Sequence, residues 1–360
     1  MKLLRVFEGY LAREIYAAVA VVLLAFLLLF AFFDLVHELQ DLGKGGYQLA
    51  HAVGYVLLTL PGRLYELLPI GVLIGTLYAL TGLARHSEIT VLRASGLATR
   101  GFLVALIKIG LPFVMLTLLL GEVVAPPAER AAQEMRLRST SSVVAQDFRS
   151  GAWIKDDHSF INVELVLPDG GLRGVKIYAF AADWALQSIS LAEKGEYLPS
   201  GEWRLSNVLT TRLDSAQASV ERQADWIWRS ALTPEILSVL LVVPERMSLP
   251  QLVRYIGHLE DNHQRTQRYE IAVWKKLVYP LASLVMMALA LPFAYLQHRM
   301  GGVSVKLFLG IMLGITFHML NGLLSSLGII NDWPPLMSAL APAMLFLLLT
   351  AGMLWSVDRR

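Results

Sequence analysis

Apolar residues gather along the chain into six long runs, set as two groups of three on either side of a mixed stretch from residue 122 to 276. Ile15–Phe33, Leu67–Ala84 and Phe102–Gly121 make the first group; Leu277–Gln297, Leu307–Ile330 and Pro334–Val357 make the second. The first two runs and the last two contain no Asp, Glu, Lys or Arg. A bilayer core about 30 Å thick takes about 20 apolar residues of helix, and only helices or closed barrels satisfy their backbone there. The pattern therefore predicts six transmembrane helices, three plus three, with a large domain inserted between them. A simple anchor needs one span; this layout is that of a device working across a membrane. The two triplets show no close sequence copy of one another.

The insert reads as β from about Val143 to Val243. Trp153–Asp156, Phe160–Leu167 and Val175–Phe180 are short runs rich in Val, Ile and aromatic residues, with Asp169-Gly170-Gly171 a hairpin signal between two of them. Ser188–Leu191, Tyr197–Leu198, Trp203–Leu205 and Val208–Leu213 continue the pattern, with Pro199-Ser200-Gly201 as a further turn. Many short strands without helices between them predict a sandwich or jelly roll, whose edge strands remain open to pairing with another chain. From Ser248 to Lys276 the period becomes helical, with Leu252, Tyr255, Ile256 and Leu259 on one face.

Positive charge orients the spans. Lys2, Arg5 and Arg13 precede span one; Arg85, Arg93 and Arg100 lie between spans two and three; Arg299 and Lys306 lie between spans four and five; Arg359 and Arg360 end the chain. The Asn331-Asp332-Trp333 link carries no Lys or Arg. Lysine and arginine favour the cytoplasmic side of short loops, which puts both termini in the cytoplasm and the insert in the periplasm of a bacterial envelope. The first run, 19 residues ending in Phe30-Ala31-Phe32-Phe33, is too long and bulky for a cleaved signal and reads as an uncleaved span. Composition agrees: 55% apolar and 17% charged residues suit a membrane protein, and a net charge of +2 with scattered basic residues gives no footprint for nucleic acid. With no cysteine, disulfides and thiolate metal sites are excluded.

Catalytic chemistry is hard to find. No phosphate-binding G-x-x-x-x-G-K-[ST] loop occurs, since Gly43-Lys44-Gly45-Gly46 lacks the spacing, so the chain is expected to bind no cofactor and any ATP must be hydrolysed by a partner. His258 and His263 are five apart, not the four of a zinc-binding helix, and no G-x-S-x-G elbow is present. His318 and Ser325 share a face of span five two turns apart, where hydrogen bonding with Asn321 is the ordinary reading. Gly71-xxx-Gly75 and Gly310-xxx-Gly314 allow close helix packing, and Lys108 is expected to snorkel to the interface. Between spans two and three, Ser87 and Glu88 can start a short amphipathic helix, with Ile89, Leu92 and Arg93 at helical spacing and Gly96 at its end. It reads either as a solvated turn or as a coupling surface for a cytoplasmic partner. Arg136 and Arg138, beyond Pro126-Pro127, read either as solvated charges or as contacts for anionic groups.

Certain short elements follow one another along the chain: Gly45-Gly46-Tyr47 after span one, Arg85-His86-Ser87-Glu88 followed by Ala94-Ser95-Gly96, and Gly121-Glu122-Val123-Val124-Ala125-Pro126. Gly151-Ala152-Trp153-Ile154-Lys155-Asp156 with Phe160, and Ile177-Tyr178-Ala179-Phe180, complete the series. In order and spacing, over essentially the whole length, the chain resembles the LptF/LptG family of lipopolysaccharide export permeases and is more similar to its LptG branch. The resemblance implies a mixed fold: spans 1–3 over residues 1–129 with a cytoplasmic coupling helix at about 85–97, a periplasmic β-jelly-roll domain over 130–265, and spans 4–6 over 266–360. It implies pairing with a second, LptF-like permease on an LptB-like cytoplasmic ATPase dimer that binds the ATP and Mg ions. Lipopolysaccharide would leave the inner membrane through this complex and pass to a single-span, LptC-like jelly-roll bridge on its way to the outer membrane.

By the same resemblance, Glu88 and its helix, with Arg85, Ile89, Leu92, Ser95 and Gly96, dock into the ATPase, and Arg136 matches a basic position near the outer mouth of the lipid cavity. Related LptG chains carry lysines at the outer end of span one; here the positions are Asp34, Gln40 and Asp41, leaving Lys44 nearby and Arg63 of span two as candidate phosphate contacts. Spans one and five are expected to form a lateral gate around an apolar chamber, with Phe26, Phe30, Phe32, Phe33, Phe317 and Met319 as its lining. A subunit that transmits force to a periplasmic partner without moving lipid would share this bundle and topology. An intramembrane hydrolase would need a nucleophile or metal set that the sequence lacks.

Overall fold

The computed structural model describes residues 2–43, 46–96, 98–140, 152–166, 171–181, 183–213, 218–230, 232–233, 244–262, 264–295 and 303–358. Helices α1 (Lys2–Glu38), α2 (Leu49–Arg85), α3 (Glu88–Ala94), α4 (Thr99–Leu119) and α5 (Ala125–Thr140) precede strands β1–β6; α6 (Leu249–Asp261), α7 (Gln267–Tyr295), α8 (Val303–Ile330) and α9 (Pro335–Asp358) follow. Among the described residues, six helical segments are long and apolar enough to cross a membrane: α1, α2, α4 with its continuation, α7, α8 and α9. The chain is a multi-pass membrane protein with a β domain between its third and fourth spans, as the hydrophobic pattern predicts.

Helices outrun their apolar runs because packing, not lipid, holds their ends. The first turns of α1 are fixed by Phe7, edge-on to Phe102 at 5.4 Å, and by buried Leu11 and Ile15. Lys108 does not merely snorkel; its ammonium pairs with Glu8 of α1 at 2.7 Å. Span three continues past its apolar run and through Pro126-Pro127 by way of a π turn, Leu120–Val124. Proline cannot supply the N–H that would close an ordinary helical turn. The wider turn takes up the mismatch, with the Ala125 N–H bonded five residues back to the Leu120 carbonyl.

Two compact units divide the chain, residues 1–34, 59–128 and 267–360 in one and 35–58 with 129–266 in the other. The second unit thus takes in the end of α1 and the start of α2 as well as the insert. In the first unit α2 is the hub, with Leu68, Val72, Leu73, Leu77 and Leu80 buried. Lipid tails are as apolar as leucine, so helices associate through close packing rather than a hydrophobic drive. The two glycine motifs provide it. A Cβ on Gly75 would stand 2.6 Å from the Val19 Cα of α1, and one on Gly314 of α8 would stand 2.7 Å from Ile70 of α2. Ser325 donates within α8 to the Asn321 carbonyl, not between helices.

In the second unit, β1 (Ala152–Asp156), β2 (Ser159–Val166), β3 (Leu172–Phe180), β4 (Leu186–Tyr197), β5 (Trp203–Leu213) and β6 (Ala218–Trp228) form one antiparallel sheet in sequence order. A jelly roll adds crossovers; among the described strands each pairs with its sequence neighbours, which is the connectivity of a meander. The Asp169-Gly170 turn lies outside the described residues. Ile154, Ile161 and Ile177 stand in register on one face and bury with Val163, Val175, Leu205 and Trp228. Trp203 is fully buried and donates its indole N–H to the Leu232 carbonyl at 2.7 Å. Helix α6 opens with a capping box, Ser248 and Gln251, and turns Leu252, Tyr255 and Leu259 inward.

Candidate functional site

The segment predicted to couple to a partner is a seven-residue helix, α3. Ser87 stands at its N-cap position in the left-handed region (φ 61) and makes no side-chain cap, a departure from the expected capping role. Ile89 is 4% exposed and belongs to the bundle core, and Leu92 packs beside it. These two residues anchor α3 to the bundle instead of facing away from it. Arg93 lies over the Tyr295 ring at 4.7 Å, a cation–π contact to the end of α7. Arg85, Val91, Ala94, Ser95 and Gly96 are exposed and Glu88 is half-buried; Ser95 donates to the Leu92 carbonyl, closing the helix end. The open face of this segment is therefore Thr90, Val91, Ala94, Ser95 and Gly96, with Arg85 before it and Glu88 at its edge. The exposed apolar Val91 was not among the residues that sequence spacing singled out.

The expected cavity residues separate into three groups. Phe26 and Phe30 are half-buried against the bundle core. Phe32, Phe33 and Met319 are open, Met319 at 68%, and the Phe32 and Phe33 rings touch edge-on at 5.8 Å. Phe317 is buried at 3%, its ring edge-on to Phe346 of α9 at 5.2 Å. Phe317 is thus part of the helix–helix core, while Met319, two residues on, points away from it. Leu24 and Leu28 of α1 and Met312 and Leu323 of α8 extend the open apolar faces.

The candidate phosphate contacts are held by carboxylates. Arg63 makes a fork of two hydrogen bonds, 2.8 and 2.9 Å, to Asp34 of α1, with Glu66 at 3.5 Å and the Phe30 ring at 5.9 Å. In the other unit, Arg136 donates to Asp41 at 2.7 Å, faces Glu38 at 3.7 Å and lies over the Tyr55 ring at 5.4 Å. The Tyr47 hydroxyl donates to Glu38 at 2.7 Å, and burial together with that bond pushes its phenol above the ordinary value. Arg246 pairs with buried Glu129 at 2.7 Å. Lys44 lies outside the described residues, as does the Arg138 side chain.

Sequence reading missed one polar site inside the bundle. Lys276 of α7, its side chain 4% exposed, donates to the Gly121 carbonyl at 2.6 Å and to Glu122 at 2.8 Å in the π turn. A Cβ on Gly121 would stand 2.7 Å from the Tyr65 ring of α2. Tyr65 in turn packs at 5.0 Å on Tyr279, whose hydroxyl donates to the Glu66 carbonyl. Three helices are stitched at this level. The available signal was a lone acid, Glu122, and a lysine pair, Lys275-Lys276, at the ends of two apolar runs. Among the described residues, no group of His, Asp and Glu is set to hold a metal.

A sequence model of the family described as Lipopolysaccharide export system permease LptF/LptG matches residues 9–356. The chain belongs to the LptF/LptG family. It is 30% identical over 357 residues to the lipopolysaccharide export system permease protein LptG of Escherichia coli K12, covering 99% of this chain and 98% of that one. To the LptG protein of Haemophilus influenzae it is 28% identical over 354 residues, 98% of each chain. The family match runs through all six spans and the insert, so the shared architecture is that of the whole chain.

Proposed function

We propose that this chain is a permease subunit of an ATP-driven exporter that takes lipopolysaccharide from the inner membrane and passes it to a periplasmic bridge protein. The observation that carries the reading is the family match over residues 9–356, which takes in the spans and the insert. Both termini then lie in the cytoplasm and the β domain in the periplasm. A second, LptF-like permease faces the open apolar sides of α1 and α8, and the two enclose the lipid. Phe32, Phe33 and Met319 are the side chains of this subunit best placed for acyl chains, because they are exposed while Phe317 is not.

The work is supplied by an LptB-like ATPase dimer, which would hydrolyse ATP on its own residues. This chain contributes α3, with Val91, Glu88, Ser95 and Gly96 toward the ATPase and Ile89 fixed in the bundle, so a push on α3 moves the spans rather than bending a loop. Lipid released at the outer side passes to the insert and on to an LptC-like bridge. A photo-crosslinking residue in place of Met319, in the chain co-purified with its partner permease and ATPase, tests the reading. An ATP-dependent lipopolysaccharide adduct is expected. Robust ATP hydrolysis with no adduct at position 319 or at Phe33 would sink lipid transport in favour of force transmission alone.

A further inference from the structure

One face of the sheet forms the apolar core; the opposite face, at the β1–β3 end, carries chemistry of its own. Register puts Trp153 across from Asn162 and Lys176, and Lys155 across from Phe160 and Tyr178, all on the face away from Ile154, Ile161 and Ile177. The Trp153 and Tyr178 rings are stacked on one another, 5.6 Å apart and 25° from parallel, so that Trp153 offers its outer face. Beside it, Trp184 in the link from β3 to β4 contacts Phe160 at 6.4 Å and lies 5.5 Å from the Lys155 ammonium. Trp184 has φ 64, the left-handed region that non-glycine residues rarely enter and that costs about 1 kcal/mol or more. The Ala181–Ala185 turn holds that backbone, with the Trp184 N–H bonded to the Ala181 carbonyl at 2.9 Å, and Trp153 and Trp184 are each 53% exposed.

We propose that this face is a carbohydrate-binding platform for an anionic oligosaccharide, and that it engages the sugar portion of the exported lipid. Pyranose rings present flat C–H faces that pack on aromatic rings, which hold their shape at little entropic cost. Lys155 and Lys176 supply cations for acidic substituents beside those rings. The β1–β2 turn beside the patch is tied to the end of α6: Asn262 accepts from Lys155 at 3.1 Å through its backbone carbonyl and from the Asp157 N–H at 2.7 Å through its side chain. The platform is thus pre-formed, and one face of the domain is apolar while the other is suited to sugar. This inference rests on the permease reading for its ligand and is separable from it by experiment.

The test uses the full chain, labelled with 5-fluorotryptophan, in nanodiscs of phosphatidylethanolamine and phosphatidylglycerol, with the Trp153 and Trp184 signals assigned by W153F and W184F. Deacylated rough-form lipopolysaccharide, the free core oligosaccharide, is the probe. Both signals are expected to shift while that of buried Trp203 stays fixed, and K155Q/K176Q should weaken binding at least tenfold while leaving the Trp203 signal in place. Absence of any shift at millimolar oligosaccharide overturns the proposal. So does broadening of the Trp184 signal by headgroup-labelled paramagnetic lipid with no response to sugar, which would make the patch a bilayer contact. Lipopolysaccharide capture at position 319 with no oligosaccharide response at Trp153 sinks the platform and leaves the permease reading standing.

Discussion

Removing the Lys276 ammonium should reveal how much the polar stitch across span three contributes to the bundle. In Lys276→Met the side chain keeps its length, but the Gly121 carbonyl loses a 2.6 Å partner and Glu122 a 2.8 Å one. Breaking a buried ion pair from one side costs about 3–5 kcal/mol, most of it the penalty of the charge left behind. Glu122 retains 24% side-chain exposure, which draws the expected loss toward the lower end, about 3 kcal/mol. Lys276→Met with Glu122→Gln removes the stranded charge and leaves lost hydrogen bonds of about 1 kcal/mol each, so the double variant should be about 1–2 kcal/mol more stable than the single. Denaturant unfolding of the purified chain in detergent micelles, followed by tryptophan fluorescence, measures all four corners of the cycle. Neutral hydrogen bonds between membrane helices average only about 0.6 kcal/mol. A loss that small for Lys276→Met, or a double variant as weak as the sum of the singles, would refute the view that charge rather than hydrogen bonding dominates this site.

Other expectations follow from individual contacts. Tyr47→Phe removes a buried donor from Glu38 and should cost about 2 kcal/mol in the same unfolding assay, in the range for hydrogen bonds to charged groups. Asp41→Asn weakens the hold on Arg136; if Arg136 meets lipid phosphate, crosslinking of lipopolysaccharide near residue 136 should rise, and a fall would show that the pair must stay intact. Burial holds the His258 imidazole below its ordinary 6.5 against the pull of Asp156 and Asp261, with Tyr255 and Asn262 packed beside it. The folded chain therefore binds fewer protons there than the unfolded one. Its contribution should be complete above the ordinary value and shrink as pH falls through it toward the folded one; the stability difference from His258→Asn, measured from pH 8 to 5, should show that slope. Charge reversal at Glu88 should separate ATP hydrolysis from lipid release in proteoliposomes; unchanged release would remove α3 from the coupling path.

Much of the fold was legible because membrane spans write themselves as uninterrupted apolar runs, and five of the six strands as aromatic and branched residues between turns. β6 was missed for a physical reason: it is exposed along most of its length and turns fully inward only at Trp228, so no alternation marks it. Tyr197–Leu198 and Ser188–Leu191 looked like separate strands, yet β4 runs on through the polar Glu193-Lys194-Gly195 because β5 pairs with it there. The helix beyond Pro126-Pro127 was hidden because a π turn is written in hydrogen bonds, not residue types. At the candidate site, spacing placed α3 correctly but could not tell Ile89, which faces the bundle, from Val91, which faces out. Which of two apolar neighbours turns inward depends on the helix's approach to its support, and a seven-residue segment has too few turns to show it.

Asp34 and Asp41 are the positions where pairing changes the meaning of the sequence. Read alone, carboxylates at the C-terminal end of span one speak against a phosphate site. In the fold each is matched to an arginine, Asp34 to Arg63 and Asp41 to Arg136, with the shorter contacts at 2.8 and 2.7 Å. Pairs of this kind, partly open to solvent, contribute little to stability, at most about 1 kcal/mol unless geometry is favourable, and the Arg63 fork has that geometry. An anion arriving at Arg136 would therefore compete with Asp41 at 2.7 Å and Glu38 at 3.7 Å rather than meet an open cation. At Arg63 the two-point fork must be broken first. That fork also ties the end of α1 to α2, so breaking it would loosen the two spans as well as free a cation.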